Sequence, residues 1–263
     1  MAAVHDVMTA GMVARPRTGT RRRGFRSRLL ATVGILAGIG VVAVAVTWVM
    51  TPSGSDVQAR VQNEATARGV AIVPASSMPL NLSRGIVSVE DERFYRHHGI
   101  DYEGVVRSVL YDAQYRCLCQ GASTITEQLV KQVYLDGSDL GWSKVVDIFV
   151  AYKVEDVIGK SQIIADYVSI APTGPGLYGM PAASCAYFGR GLSELDLAQL
   201  ALLAGLPQAP TTYDPLNNPA AATQRRADVL RLMVAEGYIT TAQAASANAE
   251  PLLPSSPPTS GAC

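Results

Sequence analysis

Four residues near the middle of the chain place two acids, an aromatic ring and an imidazole at close spacing. They are Glu90, Asp91, Phe94 and His97, in the segment EDERFYRHHG. If residues 87–98 form a helix, Glu90, Phe94 and His97 fall at positions i, i+4 and i+7 and share one face. Such a face could line a cleft, where a carboxylate transfers protons. A solvated, charged helix surface is the competing interpretation, since polar helix faces are common.

A second polar cluster follows in residues 120–131, which read QGASTITEQLVK. Ser123 and Thr124 mark the expected start of a helix that carries Leu129. The first turn of a helix offers unpaired backbone N–H groups and the positive end of the helix dipole. This segment therefore predicts a helix start suited to phosphate oxygens.

Together the two clusters resemble the signatures of the peptidoglycan glycosyltransferase family, family 51 of the glycosyltransferases. The first signature, E-D-x-x-F-x-x-H-x-G, is matched by Glu90, Asp91, Phe94, His97 and Gly99. The second, Q-G-x-S-T-x-x-x-Q, is matched by Gln120, Gly121, Ser123, Thr124 and Gln128. Members occur as the membrane-proximal domain of class A penicillin-binding proteins and as stand-alone monofunctional transglycosylases. The resemblance covers residues 72–249.

The resemblance implies a reaction at the anomeric carbon of a lipid-diphosphate-linked glycan chain. The 4-hydroxyl of lipid II attacks that carbon with inversion, so the hydroxyl needs a base and the leaving diphosphate needs cations or a metal. Glu90 matches the family's base, and Asp147 is the candidate second acid. Asp91 is expected to be structural and to hold a backbone amide, because adjacent helix residues do not face one another. The residues that the resemblance assigns to substrate binding are Phe94, His97, Arg107, Gln120, Ser123, Thr124, Gln128, Lys131 and Lys144.

The second acidic signature of the family, R-K-x-x-E, is altered here. Residues 143–147 read SKVVD, so that Lys144 is kept, Ser143 replaces the arginine and Asp147 replaces the glutamate. Asp139 stands where the family usually has another arginine. One misplaced charge about 4 Å from a diphosphate costs up to about 4 kcal/mol at an effective dielectric constant near 20. That energy corresponds to more than two orders of magnitude in rate.

Three functions therefore remain open from the sequence. The first is an active or slow transglycosylase in which Asp147 does the work of the second acid. The second is a non-catalytic relative that binds lipid II or glycan, or that scaffolds other wall enzymes. The third is a lysozyme-type hydrolase with Glu90 as the acid. The sequence contains no Ser-x-x-Lys motif, which disfavours a transpeptidase.

Residues 29–50, LLATVGILAGIGVVAVAVTWVM, carry no charge and are long enough, at roughly 33 Å of helix, to cross a bilayer. Seven arginines crowd residues 15–28 although the net charge of the whole chain is zero. The positive-inside rule leaves residues 1–28 in the cytoplasm and the rest outside. The apolar run exceeds the roughly 7–15 residues of a cleaved signal peptide, the rival interpretation. This span also argues against nucleic acid as the partner of the arginines.

The expected partners are lipid II, the growing glycan chain, the membrane and other wall-synthesis proteins such as penicillin-binding transpeptidases. A divalent metal, Mg²⁺ or Mn²⁺, is a candidate cofactor with Asp147 as a candidate ligand, and no organic cofactor is expected. The four cysteines, Cys117, Cys119, Cys185 and Cys263, favour disulfides outside the cell. Zinc is disfavoured because no Cys-x-x-Cys pair occurs. A bond from Cys117 or Cys119 to Cys185 or Cys263 is favoured over one between Cys117 and Cys119.

The predicted fold is mostly α: a lysozyme-like helical domain with a smaller membrane-proximal jaw lobe, preceded by one transmembrane helix. The predicted units are a cytoplasmic arm (1–28), the transmembrane helix (29–50), a juxtamembrane segment (51–71), the glycosyltransferase domain (72–250) and a disordered tail (251–263). Two prolines and two glycines predict a loop over 172–176. Residues 193–196, SELD, match a capping box that would open a buried helix.

Overall fold

The computed structural model describes residues 20–115, 123–135 and 142–253. The α-helices among them are α1 (Thr20–Met50), α2 (Val57–Arg68), α3 (Leu80–Glu90), α4 (Tyr102–Tyr115), α5 (Ile125–Tyr134), α6 (Trp142–Val157), α7 (Lys160–Ile170), α8 (Met180–Phe188), α9 (Leu197–Gly205), α10 (Pro219–Ala235) and α11 (Thr241–Ala249). Two short strands, β1 (Pro172–Gly174) and β2 (Leu177–Tyr178), form an antiparallel pair. The prediction of a mostly α fold is confirmed.

The chain divides into two compact units, residues 1–50 and 51–263. In the first unit, the part of α1 from Arg28 to Met50 has 23 residues and a mean hydropathy of 2.6. A helix of that length extends about 35 Å. By length and composition it can cross a membrane, as predicted for residues 29–50.

In the second unit, α3 packs against α9 and α10, and α5 packs between α6 and α7. Gly85 lets α3 approach α9 closely, because a Cβ atom built there would lie 3.0 Å from the Cβ of Ala204. Leu82 and Ile86 of α3 and Leu202 of α9 are fully buried beside this contact. The packing fixes the end of α3, where Glu90 lies.

The predicted helix over residues 87–98 is wrong, because α3 ends at Glu90. Asp91 follows with φ −161° and ψ 75°, outside the helical region, and a short 3-10 turn comes after it at Phe94–Arg96. The side chain of Asp91 accepts hydrogen bonds from other segments, and the ring of Phe94 is fully buried. Glu90, Phe94 and His97 therefore do not share a helix face.

Two further local predictions are corrected by the structure. The segment predicted as a loop over 172–176 forms β1 and the turn into β2, with Gly176 at φ +70° providing the turn that a side chain would strain. The capping box before α9 is formed by Asp196 and Gln199, each accepting the backbone N–H of the other. The predicted capping serine, Ser193, lies one turn earlier in a 3-10 helix.

Several predicted features lie outside the described residues: Gln120, Gly121, Asp139, Cys117, Cys119, Cys263 and residues 254–263 of the tail. Cys185, on α8, is disulfide-bonded. The favoured pairing of Cys185 with Cys117 or Cys119 stays a prediction.

Candidate active site

A pocket of about 270 Å³ lies where the end of α3 meets α5 and α6. It brings together residues from three separate sequence motifs. Its lining residues are Glu90, Ser123, Glu127, Gln128, Lys131, Asp147, Pro207 and Gln208. The two predicted acids therefore open onto the same space, although 56 positions separate them in sequence (147 − 90 − 1).

Glu90 stands at the pocket wall with only 9% of its side chain exposed. Its Oε2 atom accepts a hydrogen bond of 2.8 Å from Nε2 of Gln128, and its Oε1 atom lies 3.5 Å from Nη2 of Arg225. Burial raises the pKa of Glu90 above its ordinary value and the charge of Asp91 adds to the rise, while Gln128 and Arg225 oppose it. A carboxylate of raised pKa is a better base for a sugar hydroxyl.

Arg225, to which the sequence motifs assigned no role, contacts Glu90. It extends from α10, donates through Nε to the carbonyl of Gly205 at 2.9 Å, and lies over the ring of Tyr213. These contacts hold the guanidinium beside Glu90, away from the altered second motif. The neighbouring Arg226 instead donates to main-chain carbonyls of residues 248–251 and ties α10 to the end of α11.

Lys144 bridges two carboxylates at the other side of the pocket. Its Nζ atom lies 2.7 Å from Oε1 of Glu127, 3.0 Å from Oδ2 of Asp147 and 3.1 Å from Oγ of Ser123. Burial lowers the pKa of Lys144, but the two carboxylates outweigh burial and raise the pKa above its ordinary value. The ammonium therefore stays charged, and its single positive charge pairs with the two negative charges of Glu127 and Asp147.

Glu127 was not among the predicted site residues, because the family signature leaves its position unspecified. It is the third residue of α5 and forms a capping box with Thr124, whose backbone N–H donates to Oε2 of Glu127 at 2.8 Å. Its other oxygen binds Lys144. The S/T-x-x-E pattern at 124–127 was a sequence signal that could have identified this cap.

Thr124 is fully engaged in holding the start of α5. Its hydroxyl donates to the carbonyl of Gly99 at 2.7 Å and accepts from the backbone N–H of Glu127 at 3.1 Å. Gly99 has φ +67°, and a Cβ atom there would lie 2.7 Å from the backbone of Tyr152. Ser123 is exposed and lines the pocket, whereas Thr124 is buried and joins the two signature segments.

Phe94, His97 and Arg107, which the resemblance assigns to substrate binding, do not line the pocket. Phe94 is fully buried beneath the ammonium of Lys160, 4.2 Å from the ring centre. His97 lies 2.9 Å from Asp91 through Nε2, and Arg107, on α4, pairs with an exposed glutamate. Their binding roles stay predictions, and the contacts observed for Phe94 and His97 are those of buried structural residues.

A divalent metal with Asp147 as a ligand stays a prediction that the described residues do not support. Within residues 20–115, 123–135 and 142–253, no group of three or more His, Cys, Asp or Glu side chains is placed to hold an ion. Two of the acids that line the pocket, Glu127 and Asp147, already bind the ammonium of Lys144. Magnesium prefers six oxygen ligands, and the oxygens of Glu127 and Asp147 that bind Lys144 would have to be released before they could bind it.

A second pocket, of about 370 Å³, shares Gln128, Lys131 and Pro207 with the first. Arg68, at the end of α2, lies over the ring of Tyr178 at 4.1 Å on its far wall. The shared residues make the two pockets parts of one groove. Such a groove can admit an extended chain rather than a single compact ligand.

The helical fold and the paired acid and cation groups on one groove define a class, the transglycosylases. The family model described as "Transglycosylase" matches residues 57–234, and the chain belongs to that family.

Two relatives and one solved structure illustrate the similarity. Penicillin-binding protein 1A of Vibrio cholerae is 40% identical over 177 residues, which are 67% of this chain and 22% of that protein. A Cupriavidus necator protein named "Putative transglycosylase" is 39% identical over 180 residues, which are 68% of this chain and 78% of that protein. A crystal structure of penicillin-binding protein 1A from Haemophilus influenzae shows a TM-score of 0.41 and 21% identity over 70% of this chain and 18% of that chain. The chain thus spans about a fifth of the penicillin-binding proteins.

Proposed function

We propose that the chain is a peptidoglycan glycosyltransferase that polymerises lipid II, with Glu90 as the base. One observation carries this proposal: the buried carboxylate of Glu90, the cation Lys131 and the acid Asp147, which binds Lys144, line the same pocket. Membership of the transglycosylase family supports the reaction class.

In the proposed step, the 4-hydroxyl of the acceptor sugar transfers its proton to Glu90 as its oxygen bonds to the anomeric carbon. The bond from that carbon to the lipid diphosphate breaks, and the diphosphate leaves with the bonding electron pair. Lys131 and Lys144 are the cations placed to stabilise the charge that develops on the leaving group. Attack opposite the leaving group gives the inverted product.

The charge around Lys144 favours a slow enzyme. Lys144 contributes one positive charge, and Glu127 and Asp147 contribute two negative charges, so these three groups sum to −1 where an anion must bind. Asp147 occupies the second acidic position with a side chain that is one methylene shorter than the glutamate of the family signature. We propose that Asp147 keeps Lys144 aimed at the leaving group rather than transferring a proton.

The proposed setting is the outer face of the cell membrane, with α1 as the anchor and the arginine-rich arm in the cytoplasm. Hydrophobic side chains on the exposed surface of α4 support contact with lipid: Tyr102, Val106, Val109, Leu110, Tyr111 and Tyr115. Lipid II is itself membrane-bound, so an enzyme anchored in the membrane suits it. Penicillin-binding transpeptidases are proposed partners, because glycan strands need crosslinking.

The test is polymerisation of lipid II by the purified full chain in detergent, comparing Glu90→Gln with Glu92→Gln. Both changes remove one negative charge from the same short segment, but Glu92 is an exposed residue paired with Arg107 and does not line the pocket. Loss of a general base costs about 10²–10⁴-fold in rate. We expect polymer from wild type and Glu92→Gln and none from Glu90→Gln. Equal polymer from all three proteins would refute the role of Glu90.

A second candidate function, binding of lipid II without catalysis, is supported by the two ion pairs in which Lys144 already takes part. A relative that binds lipid II without polymerising it would retain tight binding in wild type and in Glu90→Gln alike, with no polymer in either. A hydrolase would instead release reducing ends from finished peptidoglycan. The same protein preparations therefore separate all three functions.

A further inference from the structure

A chain of hydrogen bonds connects Glu90 to a tyrosine in the interior of the domain. Tyr167, on α7, is fully buried, and its hydroxyl donates to Oε1 of Gln128 at 2.8 Å. Nε2 of the same glutamine donates to Oε2 of Glu90 at 2.8 Å. The three side chains come from three helices, α7, α5 and α3, and only Glu90 and Gln128 reach the pocket.

The carboxylate of Glu90 can only accept, so the NH₂ end of Gln128 faces it, and the hydroxyl of Tyr167 donates to the amide oxygen at the other end. A glutamine side chain has one end that only accepts and one end that only donates, and the two ends differ little in shape. If the amide turned over, its oxygen would face the carboxylate oxygen of Glu90 and the two would repel. Burial and the nearby charge of Glu90 raise the pKa of Tyr167 well above its ordinary value, so the tyrosine keeps its proton for donation.

We propose that Tyr167 is a positioning residue that holds the Gln128 amide with its NH₂ group towards Glu90 and so orients the base for catalysis. The inference rests on the proposed function of Glu90. Oε2 of Glu90 is held by the short bond from Gln128, while Oε1 has only the longer 3.5 Å contact with Arg225. Oε1 is therefore the atom left to receive the proton of the acceptor hydroxyl.

The orientation has a consequence for the pH dependence of the reaction. The charged or titratable groups nearest Glu90 are Asp91 next to it in the chain, Arg225 from α10 and Tyr167 from α7. Glu127 and Lys131 from α5 and Asp147 from α6 line the same pocket.

Burial is the largest cause of the raised pKa of Glu90, and the hydrogen bond from Gln128 is the largest effect that opposes burial. When Gln128 loses its anchor, the carboxylate loses part of that bond and its pKa rises further. The base must be ionised to act, so the acidic limb of the rate profile moves to higher pH.

The experiment measures polymerisation rate against pH for wild type, Tyr167→Phe and the matched control Tyr187→Phe. Tyr187 is also a buried tyrosine whose hydroxyl donates one hydrogen bond, to the carbonyl of Thr173 at 3.2 Å, and burial raises its pKa to about 12. It does not line the pocket with Glu90. We expect Tyr167→Phe to shift the acidic limb upward by up to about one pH unit, the equivalent of one lost hydrogen bond, and to lower kcat more than it changes KM. We expect no shift for Tyr187→Phe.

Gln128→Met provides a second test that does not depend on how well Tyr167→Phe folds. It removes the amide while Tyr167 stays, and the position is partly exposed, so the fold is under less strain. We expect a shift of the acidic limb at least as large as that of Tyr167→Phe, and no further shift when Tyr167→Phe is added, because Tyr167 acts on Glu90 through Gln128.

The outcomes separate the two proposals. If Glu90→Gln remains active, the proposed function fails. If Glu90→Gln is inactive but Tyr167→Phe and Gln128→Met both keep the acidic limb of wild type, the positioning role of Tyr167 is overturned. The role of Glu90 as the base is then unaffected. Additive shifts in the double variant would also overturn it.

Discussion

The carboxylate of Asp91 accepts a hydrogen bond of 3.1 Å from the backbone N–H of Ile125, the first residue of α5. The same carboxylate lies 2.9 Å from Nε2 of His97. Asp91 thus joins the end of α3 to the start of α5, and these are the helices that carry Glu90 and Gln128. The expected structural role of Asp91, holding a backbone amide, is confirmed. The two adjacent acids of the first motif therefore have different roles. Glu90 lines the pocket, and Asp91 binds Ile125 and His97.

We predict that Asp91→Ala lowers the free energy of unfolding by about 2–3 kcal/mol. The change leaves the N–H of Ile125 and the ring of His97 buried without their charged acceptor, and hydrogen bonds to charged groups are the more costly ones to lose. Urea unfolding followed by circular dichroism measures the effect. Asp228→Ala, which removes a partly exposed acid from α10, should change the same quantity by less than about 0.5 kcal/mol. Equal losses in the two variants would contradict the structural role of Asp91.

We predict that Glu90→Gln makes the protein more stable at neutral pH while it removes activity. Burial raises the pKa of Glu90 in the folded state, so the ionised form is disfavoured by folding. The folded state therefore loses stability as the pH rises from the ordinary glutamate pKa of about 4.3 through the raised folded value. Glutamine carries no such penalty.

Thermal unfolding between pH 4 and pH 8 tests this prediction. The melting temperature of Glu90→Gln should exceed that of wild type near pH 8, and the difference should shrink towards zero as the pH approaches 4. Glu92→Gln serves as the comparison because its carboxylate is exposed. A Glu90→Gln protein that is less stable than wild type at pH 8 would show that the charge of Glu90 stabilises the fold.

We predict that Lys144→Met weakens lipid II binding at least tenfold and lowers the melting temperature. The change leaves the buried carboxylates of Glu127 and Asp147 without their shared ammonium and removes a cation from the phosphate end of the groove. Lys160→Met is the matched control: Lys160 also pairs with a buried acid, Glu155, but Glu155 does not line the pocket, whereas both acids bound to Lys144 do. It should lower the melting temperature and leave binding unchanged.

Wild type and Lys144→Met together test whether the pocket binds a divalent metal. Because Lys144 occupies the space between the two acids, millimolar Mg²⁺ or Mn²⁺ should leave the melting temperature of wild type unchanged. In Lys144→Met the two carboxylates lose their shared ammonium, and Mn²⁺ should raise the melting temperature by taking its place in the folded state. A wild-type protein that is stabilised by Mn²⁺ as strongly as Lys144→Met would contradict the assignment of Lys144 as the resident cation.

The helices and the pocket were predictable from the sequence to different degrees. The start of α5 follows the Ser-Thr signal at 123–124, where Thr124 caps the helix. The end of α3 was missed because local periodicity continues through Phe94, whereas the tertiary bond from Asp91 to Ile125 ends the helix at Glu90. Long-range contacts of this kind leave no local pattern.

The residues of the site were likewise predictable only in part. The motifs identified Glu90, Gln128 and Lys131, all of which line the pocket. They gave Tyr167 and Arg225 no role beside Glu90, because that placement depends on what each contacts across the fold.

The altered second motif gives the last prediction: Ser143→Arg should raise the rate of polymerisation by about tenfold or more. The change restores the arginine of the family signature beside Lys144 and offsets the excess negative charge of Glu127 and Asp147. At an effective dielectric constant near 20, one added cation about 4 Å from a diphosphate contributes up to about 4 kcal/mol, of which 1.4 kcal/mol already gives a tenfold change.

The gain in rate should come with a small loss of stability, because position 143 lies in the first turn of α6, where the helix dipole disfavours a cation by about 0.3–1 kcal/mol. Asn63→Arg, an exposed change on α2, controls for added net charge and should leave the rate unchanged. If Ser143→Arg and Asn63→Arg polymerise lipid II at the wild-type rate, the missing arginine does not limit the reaction. The slow step would then lie elsewhere in the groove.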